Sequence, residues 1–346
     1  MIRCALVLLG LSLLAVACGN DDEEAVPATT TTSTTTTTST TTTTEPPVLS
    51  LLTGQEVEPD VLERPVVAAK IASDRAAQPQ YGLADADIVI EELVEGGISR
   101  FLAMFQSTDS DPVGPIRSAR TSEVDLLPLF GRPIFVNSGG NTGTLRALRS
   151  ANTSVEAGHN SDFGGLYYRD SSRRGPNNLF TNTSVIRDSA GATATSPGPL
   201  FLFRGLDDPP PANALPVIGI DVSFGTTRVR WVWDPQLSGF LRWQDGREHL
   251  DPDGEQLVTD NVVILVTRYG VSPADPGSPE AITTGEGEAF VLTSGYVVGG
   301  TWERSSNDSR YVIRDSEGDE IALTPGRSWI ELPRAGNLTF LAVDPR

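Results

Sequence analysis

Apolar and polar residues change rhythm three times along the 346-residue chain. Residues 5–17 are an apolar run broken only by Ser12. Residues 19–47 carry almost no large apolar side chain. From residue 54 onward, short apolar runs alternate with turn residues. Within this last stretch, residues 65–71 (PVVAAKI), 87–92 (DIVIEE) and 98–106 (ISRFLAMFQ) read as strands buried on both faces, and 133–137 (PIFVN) as a short strand ending at the Gly139-Gly140 turn. Residues 121–130 (TSEVDLLPLF) open with cap-type residues and space their apolar positions as a helix does, with Pro128 set to shorten it. Residues 142–150 (TGTLRALRS), capped at Asn141 or Thr142, and 182–190 read as two more short helices. Strands separated by short helices predict an α/β layering of this half.

A Pro-rich connector, residues 205–216 (GLDDPPPANALP), separates it from a second pattern. The runs 217–224, 228–233, 239–243, 261–269, 289–293, 296–304, 311–314, 320–323 and 328–332 are split by Asp-Gly, Asp-Pro and Gly-rich turns. That spacing predicts a mostly antiparallel β half. Residues 228–233 (RVRWVW) alternate cleanly, so one face is wet and the other packed. Trp231 and Trp233 share a face, with Arg230 and Val232 on the other.

The N-terminal pattern gives an address. Arg3 followed by the apolar run fits a secretory signal over residues 1–17, too short for an ordinary spanning helix. Its end, Leu14-Ala15-Val16-Ala17-Cys18, resembles a bacterial lipobox, which predicts lipidation of Cys18. Residues 29–44 hold 14 Thr and 2 Ser. Such a tract buries nothing and gains no packing energy to set against chain entropy, so residues 18–53 read as a lipidated, Thr-rich stalk, spanning roughly 30 Å as a coil. No second apolar run reaches a spanning length, so contact with the membrane is expected through the lipid anchor alone, on the outer face of the cytoplasmic membrane.

Composition narrows the partners. Lys and Arg number 26 against 45 Asp and Glu, a net charge of −19, which argues against nucleic acid and against adhesion to anionic lipid. Two Cys exclude a disulfide scaffold, and His159 and His249 alone cannot build a His-rich metal site. His159 lies in a Gly/Asn/Ser loop without a nucleophile elbow elsewhere, and His249 beside a turn reads as a surface residue. Residues 251–255 (DPDGE) lack calcium-loop spacing. There is no P-loop or dinucleotide fingerprint, so no cofactor is expected. The five Trp (231, 233, 243, 302 and 329) all fall in the β half, where a core role competes with a sugar-stacking platform.

Three stretches form an ordered pattern: GLADADIVIE at 82–91 continuing to LVEGGISRF at 93–101, VGPIRSAR at 113–120, and Tyr168-Arg169-Asp170 with RGPNNL at 174–179. Gly287-Glu288-Ala289, Gly300-Thr301-Trp302 and PGRSWI at 325–330 continue it. Together they resemble the YerB-like family of bacterial lipoproteins, long labelled as of unknown function, over about residues 64–333. The resemblance implies a layered ββα sandwich, class α/β, with residues 54–204 as the family's N-terminal α/β part and 217–346 as its C-terminal β part. It also marks departures. Relatives usually read Lys-Ile-Asp-Asn where this chain has Lys70-Ile71-Ala72-Ser73, Arg before Pro-Gln where it has Gln78, and His before Asn-Leu where it has Asn177.

Within these motifs fall Arg100, Arg117, Arg120, Asp170, Arg174, Asn177 and Asn178, candidates for a cleft that holds a carboxylate or phosphate between Arg forks. Glu91 and Glu95 are the candidate acid and base should the site be catalytic. The same residues would also serve as ion pairs pinning a turn between strands. The reading is an anchored extracytoplasmic lipoprotein that acts as a non-enzymatic binding module, its partner a wall polymer or a membrane-associated wall protein. The competing reading is a hydrolase or transferase acting on wall glycan.

Overall fold

In a computed structural model, residues 46–205 and 207–341 are described. The signal segment, Cys18 and the Thr-rich tract lie outside the described residues. Five strands of the first half join the large sheet: β1 Val67–Ala72, β2 Ile88–Leu93, β3 Ser99–Phe105, β4 Ile134–Asn137 and β5 Val155–Gly158. The main strands of the two sheets after the connector are β6 Gly219–Phe224, β7 Thr227–Asp234, β8 Gly239–Gln244, β9 Asn261–Leu265, β10 Gly285–Thr293, β11 Tyr296–Arg304, β12 Val312–Asp315, β13 Ser328–Leu332 and β14 Leu338–Leu341. Every residue of β1, β2 and β3 is buried, as their near-continuous apolar runs require.

The large sheet runs β12-β11-β10-β9-β13-β2-β3-β1-β4-β5, with Leu215–Pro216 added to β11. It is built from both halves of the chain. The seam is the parallel pair β2–β13, with Ile88 opposite Ser328 and Glu92 opposite Leu332. A smaller antiparallel sheet, β8-β7-β6-β14 with Arg247–Glu248 and Val258–Thr259 against β8, lies on one face. Ile220, Val222, Val229, Trp231 and Phe240 of the small sheet share one core with Val67, Ile71, Phe101, Phe105 and Ile264 of the large one. The opposite face buries Ile88, Ile90, Leu102, Met104 and Ile330 under Leu126, Leu127, Phe130 and Leu148.

Those last residues come from two helices and a 3-10 turn. The helix expected over 121–130 breaks at Pro128 into α1 Glu123–Leu126 and a 3-10 turn Leu127–Phe130. Helix α2 spans Thr142–Ala151, with the Asn141 side chain accepting from the Thr144 N–H, and α3 spans Thr183–Ser189 under an Asn182 cap. Ile186 of α3 belongs to the core on the small-sheet side, so helices flank both faces. The expected ββα layering is therefore not clearly realised; the protein is a sheet-rich mixed fold with 14% helix and 41% strand. Three further differences stand out. The 261–269 run ends at Leu265 and gives way to a hairpin, Arg268–Ser272 with Asp275–Ile282. Residues 320–323 make only isolated bridges, and β14 arises where no strand was expected.

Candidate functional site

The pairings β1–β4, β4–β5, β9–β13 and β2–β13 are parallel, and β3 is antiparallel to both β1 and β2. Six strands thus point the same way and end on one edge of the large sheet. In open sheets, ligands bind just beyond the carboxyl ends of parallel strands. Here that edge gathers Ser73 and Asp74 after β1, Glu95-Gly96-Gly97 after β2, Arg100 at the start of β3, and Ser138-Gly139-Gly140 after β4. Residues 113–120 cross it: the Arg117 N–H donates to Lys70 O at 2.8 Å, the Ser138 N–H to Arg117 O at 2.9 Å, and the Ala119 N–H to Gly139 O at 2.8 Å. The chain turns from β2 to β3 through Gly96 and Gly97, both in the left-handed region (φ 76° and 73°), which brings Glu95 back over the edge.

Three guanidinium groups meet there. Arg120 grips Glu95 with two donors, Nε at 2.8 Å from Oε2 and Nη2 on Oε1. Arg100 Nη2 lies 3.4 Å from Glu95 Oε1, and Arg100 and Arg120 each donate to Ser118 O at 3.1 Å. Partial burial works against the Glu95 charge, but the Arg120 fork and the Arg100 charge outweigh it and hold the carboxyl down at about 2. Burial, together with the charges of Arg120 and Arg117, lowers Arg100 to about 10. Arg117 is the least engaged. Its Nη2 makes one 3.5 Å contact with Asp74 Oδ2, and its Nε has no partner among the described residues. Asn177 Nδ2 donates to Asp74 Oδ1 at 3.0 Å, which brings Asn177 to the same place.

The other sequence candidates are placed elsewhere. Asp170 accepts from Ser172 within its own loop, Asn178 accepts from Arg169, and Arg174 is exposed; none of the three bonds to the Arg cluster. Glu91 is sealed between the two sheets. It pairs with Arg242 Nη2 at 2.6 Å, both side chains being fully buried, and accepts from Ser99. Arg242 in turn lies over the rings of Trp329, Phe101 and Trp231, at 4.8, 5.3 and 5.6 Å from their centroids. Glu331, bonded to the Trp231 indole at 2.7 Å, is pushed well up by burial and then by the Glu91 charge. His249 is not at the surface. It is fully buried against Arg242 and 2.7 Å from Gln80, and burial plus the Arg242 charge keep its ring neutral. Its neighbours in sequence are exposed, but its ring turns inward to complete the chain of polar groups between the sheets.

Glu92 enters the opposite face, because successive strand residues alternate. Lys70 Nζ lies 2.5 Å from both Glu92 and Glu123, all three fully buried. Lys70, Glu92, Glu123, Arg242 and Glu331 were not singled out from sequence. For Lys70, Glu92 and Glu331 the usable signal is a charged residue inside a strand buried on both faces, which demands a buried partner. Among the described residues no cluster could hold a metal ion, and no helix is long and apolar enough to cross a membrane.

Comparisons agree with this architecture. Residues 52–196 match the N-terminal domain, and 220–330 the C-terminal domain, of a family described as "Protein of unknown function (DUF3048)". A Bacillus subtilis (strain 168) protein named "Putative lipoprotein YerB" is 30% identical over 292 residues, covering 81% of this chain and 85% of its own. The crystal structure of the YerB protein from Bacillus subtilis superimposes with a TM-score of 0.73 at 28% identity, over 85% of this chain and all of that one.

Proposed function

The chain belongs to the DUF3048 family, and from that footing we propose that it is a lipid-anchored extracytoplasmic module whose carboxyl edge binds anionic groups of a wall polymer. The relative's name supports the lipoprotein part, and the resemblance of residues 14–18 to a lipobox is the reason for proposing Cys18 as the anchor. The observation that carries the binding role is Arg117, partly open to solvent and held by a single long contact, beside two further guanidinium groups. At this edge three Arg stand beside Asp74 and Glu95, with Glu123 behind them on the Arg120 N–H. Arg forks of this kind hold carboxylate or phosphate bidentately. Glu95, kept ionised by Arg120, suits the role of a fixed counter-charge rather than a proton donor. Glu91 lies too deep to reach a polymer.

Two measurements test this. Wild-type chain fractionates with membranes, whereas Cys18→Ser leaves them or keeps its signal segment. Detergent-purified chain co-sediments with purified wall sacculi, and Arg117→Gln reduces the bound fraction several-fold while the melting temperature holds. Equal sedimentation of the two proteins would remove the proposal.

A further inference from the structure

The far face of the small sheet, turned away from both cores, carries a groove of about 1010 Å3. Strand alternation builds it. Along β7, Val229 and Trp231 face the core while Arg228 and Arg230 face out. Along β8, Arg242 and Gln244 are buried, and Trp243 between them points outward, half-buried. Of the five tryptophans, Trp231, Trp302 and Trp329 are core and Trp233 packs against it; Trp243 alone takes no part in either core.

The register sets Thr339, Asp221, Arg230, Trp243 and Glu248 side by side across the strands. Successive side chains in this row stand about 4.8 Å apart, close to the length of a pyranose ring. Arg230 lies in a planar fork on Asp221, Nε to Oδ1 at 2.6 Å and Nη2 to Oδ2 at 2.8 Å, although both side chains are well exposed. An exposed pair of this kind adds little to stability. It does present a flat array of donors and acceptors with capacity to spare, next to an indole face, with Ser223 and Asn337 also lining the groove. Adjacent hydroxyls of a sugar ring match such a fork, and the apolar face of the ring matches an indole.

We propose that this groove binds a glycan strand, its sugar rings stacked on Trp243 and its hydroxyls held by the Asp221–Arg230 pair. The site does not depend on the carboxyl-edge reading: it has no residue in common with the Arg100, Arg117 and Arg120 cluster and recognises neutral rings, not anions. Groove residues Gly225 and Thr226 do meet the β2–β3 turn, where the Thr226 N–H donates to Gly97 O at 2.6 Å.

The test is calorimetric titration of the purified chain with a β-1,4-linked N-acetylglucosamine hexamer and, separately, with wall glycan strands freed of peptide. Saturable binding of either probe is expected. Trp243→Ala should weaken it by about tenfold or more, Trp243→Phe by less, and Arg117→Gln should leave binding of the uncharged hexamer unchanged. Trp243 lies outside the core, so the melting temperature should stay near wild type. Absence of binding to both probes, or binding that survives Trp243→Ala, overturns the proposal. Loss on Arg117→Gln with Trp243→Ala neutral also overturns it, by assigning the glycan to the carboxyl edge.

Discussion

Lys70 supplies one positive charge to two carboxylates in a fully buried pocket, with Nζ 2.5 Å from Glu92 and from Glu123. One lysine balances one acid. Burial opposes the Glu92 charge, but Lys70 overcomes it and holds that carboxyl down. On Glu123 burial wins over Lys70, with help from the Glu92 charge, and pushes it up to about 7. From an ordinary value of 4.5, such a shift is worth about 3 kcal/mol. The folded-state value is raised, so the folded protein binds the proton more tightly than the unfolded chain does. This contribution to stability is complete below pH 4.5, declines as pH rises toward 7, and is lost above that. Glu123→Gln is uncharged like the protonated acid; with its oxygen kept on the Arg120 N–H, its amide nitrogen replaces Oε1 beside Lys70 Nζ, so it also loses an acceptor for Lys70 at every pH. In urea denaturation of both proteins from pH 4.5 to 8.5, the stability difference should therefore shift in the variant's favour by up to about 3 kcal/mol between the acid and the alkaline end. Equal stability curves for the two proteins, or a variant weakened as much at pH 8 as at pH 5, would refute the reasoning.

Arg242→Ala should cost about 3–5 kcal/mol in urea, because Glu91 loses its buried counter-charge, and adding Glu91→Gln should recover part of the loss; a cost below about 1 kcal/mol would contradict the buried pair. Glu95→Gln should cost roughly 1 kcal/mol at neutral pH, since Glu95 is partly exposed and its pair with Arg120 is screened. The lowered carboxyl makes that contribution present above pH 4.5 and lost as pH falls toward 2, so a variant penalty that persists at pH 2 would be inconsistent with it. Gly225→Ala should lower the melting temperature, because Gly225 has φ +66° and a Cβ there would sit 2.8 Å from Gly97 O, where the small sheet meets the β2–β3 turn.

What could be read in the sequence follows from how local its physics is. The runs 87–92 and 98–106 appear as strands because burial on both faces leaves a nearly continuous apolar signature. The break at Pro128 and the Asn141 and Asn182 caps are likewise local chemistry. The β2–β13 pairing is not local, since it joins residues 88 and 328 and no nearby residue encodes it. The hairpin over Arg268–Ser272 and Asp275–Ile282 was hidden by Pro273, Pro276, Gly277 and Pro279, which read as loop until a partner strand fixes them. His249 misleads for a similar reason: its partners, Arg242 and Gln80, lie seven and 169 residues away. Adjacent Glu91 and Glu92 are legible in the sequence, since strand alternation alone sends them into opposite cores.

Ala72, Ser73, Gln78 and Asn177, the positions marked as departures by the resemblance read from the sequence, are not scattered. Ala72 O accepts the Gln80 amide at 3.0 Å, and Ser73 O accepts the Gln244 amide at 2.6 Å. Gln78 belongs to the loop that Arg173 clamps through Ala77 O and Pro79 O. Asn177 donates to Asp74. All four therefore border the stretch around Asp74, where the buried polar chain from Glu91 through Arg242 comes out beside Arg117. A ligand held at Arg117 would therefore lie beside these four positions.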